Sequence, residues 1–286
     1  FMEAAKDAEY FVGFVRGGFD DALYKKAPKL KLIQLISAGY DRVDIEAARR
    51  AKVLVSNNGG ANAVAVAEHT MLLILSAMKR VADLHEKCMA GRWRVGDFSQ
   101  NRLFELEGKT LGIVGFGNIG KKVARRAQAF GMSVIYYDIL RLTEEQEDAL
   151  GVKFALFDEV VKNADVVSLH TPLTPLTRKM MNARAFGLMK PTAFFVNTCR
   201  GPVVDEEALF QVLVTNKIMG AGLDVMEVEP PPADHKFFNL PNITITPHMA
   251  GPTVENWPRA FRNAYDNIQR VAAGRSASWV IPELRS

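Results

Sequence analysis

With 286 residues, 48% of them hydrophobic and 24% charged, the chain has material for a large core in one or two globular domains. Its net charge of +4 comes from scattered basic residues with no run longer than a pair such as Lys25-Lys26 or Arg49-Arg50, so no nucleic-acid surface is expected. Two cysteines without CxxC spacing, Cys88 and Cys199, leave no disulfide framework and no metal site and fit a reducing cytoplasm, and no apolar run reaches the roughly 18 residues of a membrane span.

The sequence opens on Phe1, and Glu9-Tyr10-Phe11-Val12 follows almost at once, so an N-terminal piece is expected to precede it. Apolar runs at Phe11–Val15, Leu30–Ile36 and Val53–Val55 are bounded by polar, Gly or Pro residues and read as strands. A helical segment at Asp44–Ala51 lies among them, which implies a parallel α/β sheet. Ala63–Lys79 is long, apolar and rich in Ala, Leu and Met, and reads as a buried or interface helix. Val81–Ala90 continues helical until Gly91-Arg92-Trp93 breaks the pattern.

A second α/β series starts at Lys109. Strands are expected at Thr110–Val114, Ser133–Tyr137, Val166–His170, Ala193–Asn197, Ala221–Val225 and Ile243–Thr246. Helices are expected at Ile119–Phe130, Ala183–Leu188, Glu206–Thr215 and Pro258–Ala273. Six short strands with helical crossovers make a doubly wound sheet. Pro230-Pro231-Pro232 is a rigid loop inside it, because strands resume afterwards.

The first strand of that series runs into Gly115-Phe116-Gly117-Asn118-Ile119-Gly120, and a helix follows. In such a turn Gly115 permits the sharp reversal, Gly117 lets backbone N–H groups approach a pyrophosphate, and Gly120 lets helix and strand pack closely. The helix start adds free N–H groups and a partial positive charge. Asp138 ends the next strand, eighteen residues after Gly120, where a carboxylate accepts ribose hydroxyls and repels the extra phosphate of NADP. The pattern points to a dinucleotide, and to NAD. Arg141, nearby, is the one residue placed to reach a 2′-phosphate instead.

Hydride transfer to a carbonyl needs a cation for the substrate, an acid for the forming alkoxide, and a partner that fixes the acid. Three strand ends of the same sheet carry such groups. Asn197-Thr198-Cys199-Arg200-Gly201 brings Arg200, the loop after Gly222-Leu223-Asp224 brings Glu227 and Glu229, and Thr246-Pro247-His248 brings His248. A planar, always-charged guanidinium suits a carboxylate, and a His–Glu pair is a common acid device. His69 and His170 read as structural groups, His85 and His235 as solvent-facing, and Cys199 as a small packing group.

These segments, with Ser37-Ala38-Gly39-Tyr40-Asp41, Asn58-Gly59-Gly60, Val66-Ala67-Glu68-His69-Thr70 and His170-Thr171-Pro172, span nearly all of the chain in a fixed order. As a set they resemble the D-isomer-specific 2-hydroxyacid dehydrogenase family. The resemblance implies two Rossmann-like domains, with a doubly wound cofactor domain (residues 63–251) inserted into a smaller flavodoxin-like substrate domain (1–62 and 252–286). It implies that Arg200 binds the substrate carboxylate and carbonyl, that His248 is the general acid in reduction, and that Glu229 pairs with it. Ala38, Gly39 and Tyr40 would help hold the substrate. Asn118, Ile119, Asp138, Thr171, Pro172, Thr198, Cys199, Arg200, Asp224, His248, Ala250 and Gly251 would join the glycine loop in contacting NAD. Asp224 would lie near the nicotinamide carboxamide. A homodimer through the Ala63–Lys79 region is implied too, and the substrate is a 2-ketoacid or 2-hydroxyacid.

Two other activities share these motifs. Formate dehydrogenases pair the histidine with Gln, so Glu229 argues against formate, whereas phosphite dehydrogenases keep the Glu. A third reading is an NAD-sensing binding protein akin to the corepressors of this fold, and the full Arg–Glu–His set argues for an enzyme instead. Trp257, nine residues past His248, either caps the substrate and favours a bulky or apolar group, or packs at an interface.

Overall fold

The computed structural model describes residues 5–14, 17, 19–93 and 102–285. They form two compact units, one of residues 1–65 with 251–286 and the other of residues 66–250.

The first unit holds a parallel sheet of β1 (Tyr10–Gly13), β2 (Leu32–Leu35) and β3 (Leu54–Ser56), in that order. β1 stops short of the expected strand, whose last residue, Val15, lies outside the described residues. Helices α1 (Asp21–Lys26) and α2 (Ile45–Ala51) start on Asp20 and Asp44, whose carboxylates accept backbone N–H groups of the first turn. β2 is buried at every position, and Ile33, Leu35, Val55, Ala47 and Leu23 share its core with Ile281 from the chain's end. The later helix α10 (Asn256–Ala272) returns to this unit. Its Asn267 donates to Gln34 of β2 at 2.6 Å, while Gln34 Nε2 donates to the carbonyls of Leu35 and Asn57. A buried amide pair of this kind is tolerated only because its groups are bonded.

The second unit opens with α3 (Ala63–Lys79), which crosses into it at Val66, and α4 (Val81–Met89). Its sheet has seven parallel strands: β4 (Thr110–Val114), β5 (Ser133–Tyr137), β6 (Val152–Phe154), β7 (Val166–Leu169), β8 (Phe194–Asn197), β9 (Gly220–Leu223) and β10 (Ile243–Ile245). The order is β10-β9-β8-β7-β4-β5-β6, so the chain reverses direction of travel beside β4. Ligands bind at the carboxyl ends of strands at such a switch point.

Six strands were expected, and the seventh is β6. It is short, carries Lys153 at its centre, and follows α6 (Glu144–Leu150) and precedes α7 (Phe157–Asn163). Thr143 and Gln146 cap α6 reciprocally, a sequence signal that marks its start.

The sheet buries both faces. One layer gathers Val167, Leu169, Phe186, Phe195 and Leu209, and the other Leu73, Ile74, Leu111, Ile113, Val123 and Tyr136. Each such burial contributes about 1.5–3 kcal/mol. α5 (Asn118–Ala129), α8 (Ala183–Leu188) and α9 (Glu206–Val214) cover the sheet. α3 gives Ala67, Met71, Leu73, Ile74 and Met78 to this core, so it is chiefly a buried helix.

Candidate active site

All the chemistry-bearing loops of the second unit leave the carboxyl ends of its strands. The glycine turn after β4 has the three distinct geometries that phosphate binding asks for. Gly115 sits at φ +96°, and a side chain there would strike the His170 backbone at 2.6 Å. At Gly120 a Cβ would meet the Gly115 carbonyl at 2.4 Å, whereas at Gly117 nothing lies within 4 Å, which leaves open space for a ligand. α5 begins at Asn118, next to Ile119, and its first-turn N–H groups have no acceptor within the helix.

Asp138, at the end of β5, accepts the Phe116 N–H at 2.6 Å and the Leu140 N–H at 2.9 Å, one on each carboxylate oxygen. Each oxygen keeps a lone pair for a ribose hydroxyl. Arg141 is engaged elsewhere: it bonds Glu147 at 3.0 Å and lies 5.0 Å from the Phe154 ring.

His170-Thr171-Pro172 follows β7. Burial pushes the His170 imidazole down to about 3, so the ring is neutral. Its Nε2 meets Ser168 at 2.9 Å, and its Nδ1 is buried without a partner among the described residues.

β8 ends in Asn197, which shapes the next turn. Asn197 Oδ1 accepts the Cys199 N–H at 3.0 Å, and its Nδ2 donates to the Arg200 carbonyl at 3.0 Å. A Cβ on Gly201 would strike the Met226 carbonyl, so only glycine lets this turn pass under the loop that carries Glu229. Thr198 faces inward and meets the Thr70 hydroxyl at 3.0 Å. Burial pushes the Cys199 thiol up, which fits a packing group.

His248 Nδ1 lies 2.7 Å from Glu229 Oε2, and the other Glu229 oxygen accepts the Met226 N–H at 3.0 Å. Burial alone would raise the Glu229 carboxyl. Bonds from His248 and Met226, with the charges of His248 and Arg200, hold it below the ordinary glutamate range. The His248 backbone is left-handed at φ +56°, and its side chain is 47% exposed, so the ring is both fixed and reachable.

The model 2-Hacid_dh_C, described as D-isomer specific 2-hydroxyacid dehydrogenase, NAD binding domain, matches residues 71–250. The chain belongs to this family.

Relatives agree along most of the length. The chain is 37% identical over 268 residues to a glyoxylate reductase of Korarchaeum cryptofilum, covering 93% of this chain and 80% of that one. It is 40% identical over 228 residues to a hydroxypyruvate reductase of Thermotoga maritima, covering 79% and 72%. The crystal structure of a glyoxylate reductase from Paecilomyes thermophila superposes with a TM-score of 0.91 at 31% identity, covering 99% of this chain and 86% of that one. The protein is an NAD-dependent oxidoreductase of the D-2-hydroxyacid dehydrogenase family, and the glycine turn with Asp138 fits that cofactor.

Within this unit the expected site residues Arg200, Glu229 and His248 lie on successive loops of one sheet edge, after β8, β9 and β10. Asp224 is 1% exposed at the end of β9 and accepts the N–H groups of Met249 at 2.8 Å and Ala250 at 2.9 Å. It thus anchors the turn that carries His248.

In the first unit, Ser37 Oγ donates to the Gly39 carbonyl at 2.9 Å and Asn58 N–H to the Ser37 carbonyl at 3.0 Å, which stiffens the Ala38-Gly39 turn. Gly251, at this unit's boundary, accepts from Asn256 Nδ2 at 3.1 Å. Tyr40 has a partner within its own unit. Its ring packs against the core of its own unit and its hydroxyl donates to Glu283 at 3.3 Å, so burial and that carboxylate push it up to about 12.

His235, expected to face solvent, is a correction. It is mostly buried, 3.4 Å from Glu206, with its ring against Phe237, because the loop after the prolines folds back on α9. The residues that sequence reasoning passed over are Thr246, Asn197 and the partnership of His69. Thr246 Oγ1 donates to Asp224 at 2.6 Å, and His69 Nε2 lies 2.8 Å from that hydroxyl.

Proposed function

We propose that Arg200, Glu229 and His248 carry the reduction of a small 2-ketoacid to its D-2-hydroxyacid. The observation that supports it best is the 2.7 Å contact of His248 Nδ1 with an ionised Glu229 beside the Arg200 loop. Bound NADH supplies the hydride. Arg200 holds the substrate carboxylate in a planar, bidentate grip and polarises the adjoining carbonyl. With Nδ1 held by Glu229, His248 has Nε2 left to give its proton to the forming alkoxide. Glu229 stabilises the imidazolium before that transfer and fixes the ring's tautomer. In the oxidative direction the same Nε2 takes the hydroxyl proton.

The test is turnover of purified protein with glyoxylate, hydroxypyruvate, pyruvate and phenylpyruvate, using NADH and NADPH side by side. NADH-dependent reduction is expected, with NADPH at least tenfold poorer because Asp138 repels its phosphate. Tight NADH binding without turnover of any ketoacid would sink the catalytic reading and leave a binding protein.

A second substrate reading rests on Trp257. It stands in the first turn of α10 with its ring 6.1 Å from Phe14 and 6.4 Å from Phe261, all three partly exposed. An open aromatic cluster beyond the carboxyl end of β1 suits an apolar or aromatic ketoacid side chain. We also propose a homodimer through the Ala63–Lys79 region, since Leu72 of α3 and Val81 and Met89 of α4 are exposed. Sedimentation at the monomer mass would remove that proposal. The free thiols Cys88 and Cys199 support a cytoplasmic location, and among the described residues no helix is long and apolar enough to cross a membrane.

A further inference from the structure

The Asp224 carboxylate has more donors than a packing role requires. Thr246 Oγ1 lies 2.6 Å from Oδ1, Met249 N–H 2.8 Å from the same oxygen, and Ala250 N–H 2.9 Å from Oδ2. A hydroxyl has one proton. Since Thr246 gives its proton to Asp224, the 2.8 Å contact with His69 makes Thr246 the acceptor and His69 Nε2–H the donor. The same Nε2 stands 3.4 Å from Asp224 Oδ1. The ring, on α3 and only 15% exposed, therefore addresses the hydroxyl and the carboxylate together.

The backbone ties this pair to the chemistry. His248 N–H bonds the Asp224 carbonyl at 2.8 Å, so Asp224 holds the turn by its main chain at His248 and by its carboxylate at Met249 and Ala250. Oδ2 accepts only Ala250 among the described residues, which leaves it a lone pair.

We propose that His69 is a positioning residue of the reaction: by donating to Thr246 it directs the Thr246 proton onto Asp224, and so fixes the turn that carries His248 and leaves Asp224 Oδ2 free for the nicotinamide amide. This rests on the catalytic reading above. Burial would raise the Asp224 carboxyl, yet it is held below the ordinary aspartate range, and the His69 ring is the strongest of the donors that oppose burial. An ionised Asp224 is what three N–H and O–H donors need as an acceptor.

The test compares His69→Leu with His69→Gln, whose amide N–H reaches about as far as Nε2. The readouts are kcat and KM for the fastest ketoacid of the panel, the NADH Kd by fluorescence, and the melting temperature. His69→Leu is expected to lower kcat about tenfold and to weaken NADH severalfold, with the ketoacid KM within twofold of wild type. His69→Gln should recover most of both losses. Thr246→Val should match His69→Leu, and the double variant should be no worse than either. Equal impairment of the Leu and Gln variants, wild-type values for Leu, or additive losses in the double variant would each overturn the proposal. If His69→Leu does not fold, Thr246→Val against Thr246→Ser, which keeps the hydroxyl, makes the same comparison. If wild-type protein binds NADH but turns over no ketoacid, the catalytic reading fails, and the NADH Kd of the Leu and Gln variants still decides the role of His69.

Discussion

The turn from His248 to Ala250 is held from two sides by two histidine–carboxylate arrangements of opposite character. On one side Glu229 meets His248 directly, and the His248 ring is 47% exposed. On the other, Asp224 is 1% exposed and meets His69 through a hydroxyl. The exposed pair leaves His248 Nε2 without a partner among the described residues. The buried one has each oxygen bonded to the backbone it organises. On the catalytic reading proposed above, the difference teaches that the same two residue types can serve opposite ends: open to substrate to move a proton, and closed inside the sheet edge to fix a shape.

If that division holds, the largest loss comes from the proton-moving side. His248→Gln removes the acid and keeps an amide able to bond Glu229. Ketoacid turnover should fall between about a hundredfold and ten-thousandfold, the usual contribution of a positioned acid. The NADH Kd, read by fluorescence, should stay within about twofold. A comparable loss of NADH affinity would mean that the exposed pair also builds the cofactor site, and the contrast between the two sides would collapse.

The two sides were not equally legible in the amino-acid order. Arg200, Glu229 and His248 each follow a short apolar strand, in the loop that leaves its carboxyl end, so local pattern placed them at one sheet edge. The Gly115–Gly120 turn was legible for the same reason: a strand, three glycines and a helix are contiguous. The His69 partnership joins residues 177 apart along the chain, and His69 belongs to an apolar helix, α3, where a packing role is the ordinary reading. β6 was missed because Lys153 breaks its short apolar run, although the Thr143–Gln146 cap announced the helix before it. For Tyr40 the resemblance gives a position, whereas its hydroxyl partner, Glu283, lies 243 residues away and is supplied by the fold.

A smaller effect sharpens the proton-moving side. Glu229 has its carboxyl depressed by His248, Met226 and Arg200 against the opposing pull of burial. A depressed carboxyl is ionised in the folded protein above its ordinary range and loses that charge only as pH falls through the lowered value. The ion pair, and the reduction it supports, should therefore persist through the ordinary glutamate range and fail below it. Glu229→Gln should lower kcat about tenfold to a hundredfold near neutral pH, the worth of a hydrogen bond to a charged group, and should erase that acid limb. A pH–rate profile of the variant that keeps the wild-type acid limb would assign the limb to another group.

The smallest expected effect lies outside both arrangements, in the first unit. Trp257 shares an open cluster with Phe14 and Phe261 rather than being sealed in a core. An aromatic ring stacked on a ligand is worth about 1 kcal/mol beyond its buried area, roughly fivefold in kcat/KM. Trp257→Ala should therefore cut phenylpyruvate reduction about fivefold relative to glyoxylate, with the NADH Kd unchanged. Glyoxylate has no side chain to lose a contact, so it serves as the internal control for folding and for the His248 turn alike. Equal losses on the two ketoacids would assign Trp257 to packing. A selective loss would locate substrate discrimination in the first unit, while both histidine–carboxylate arrangements, in the second, act on features that every 2-ketoacid shares.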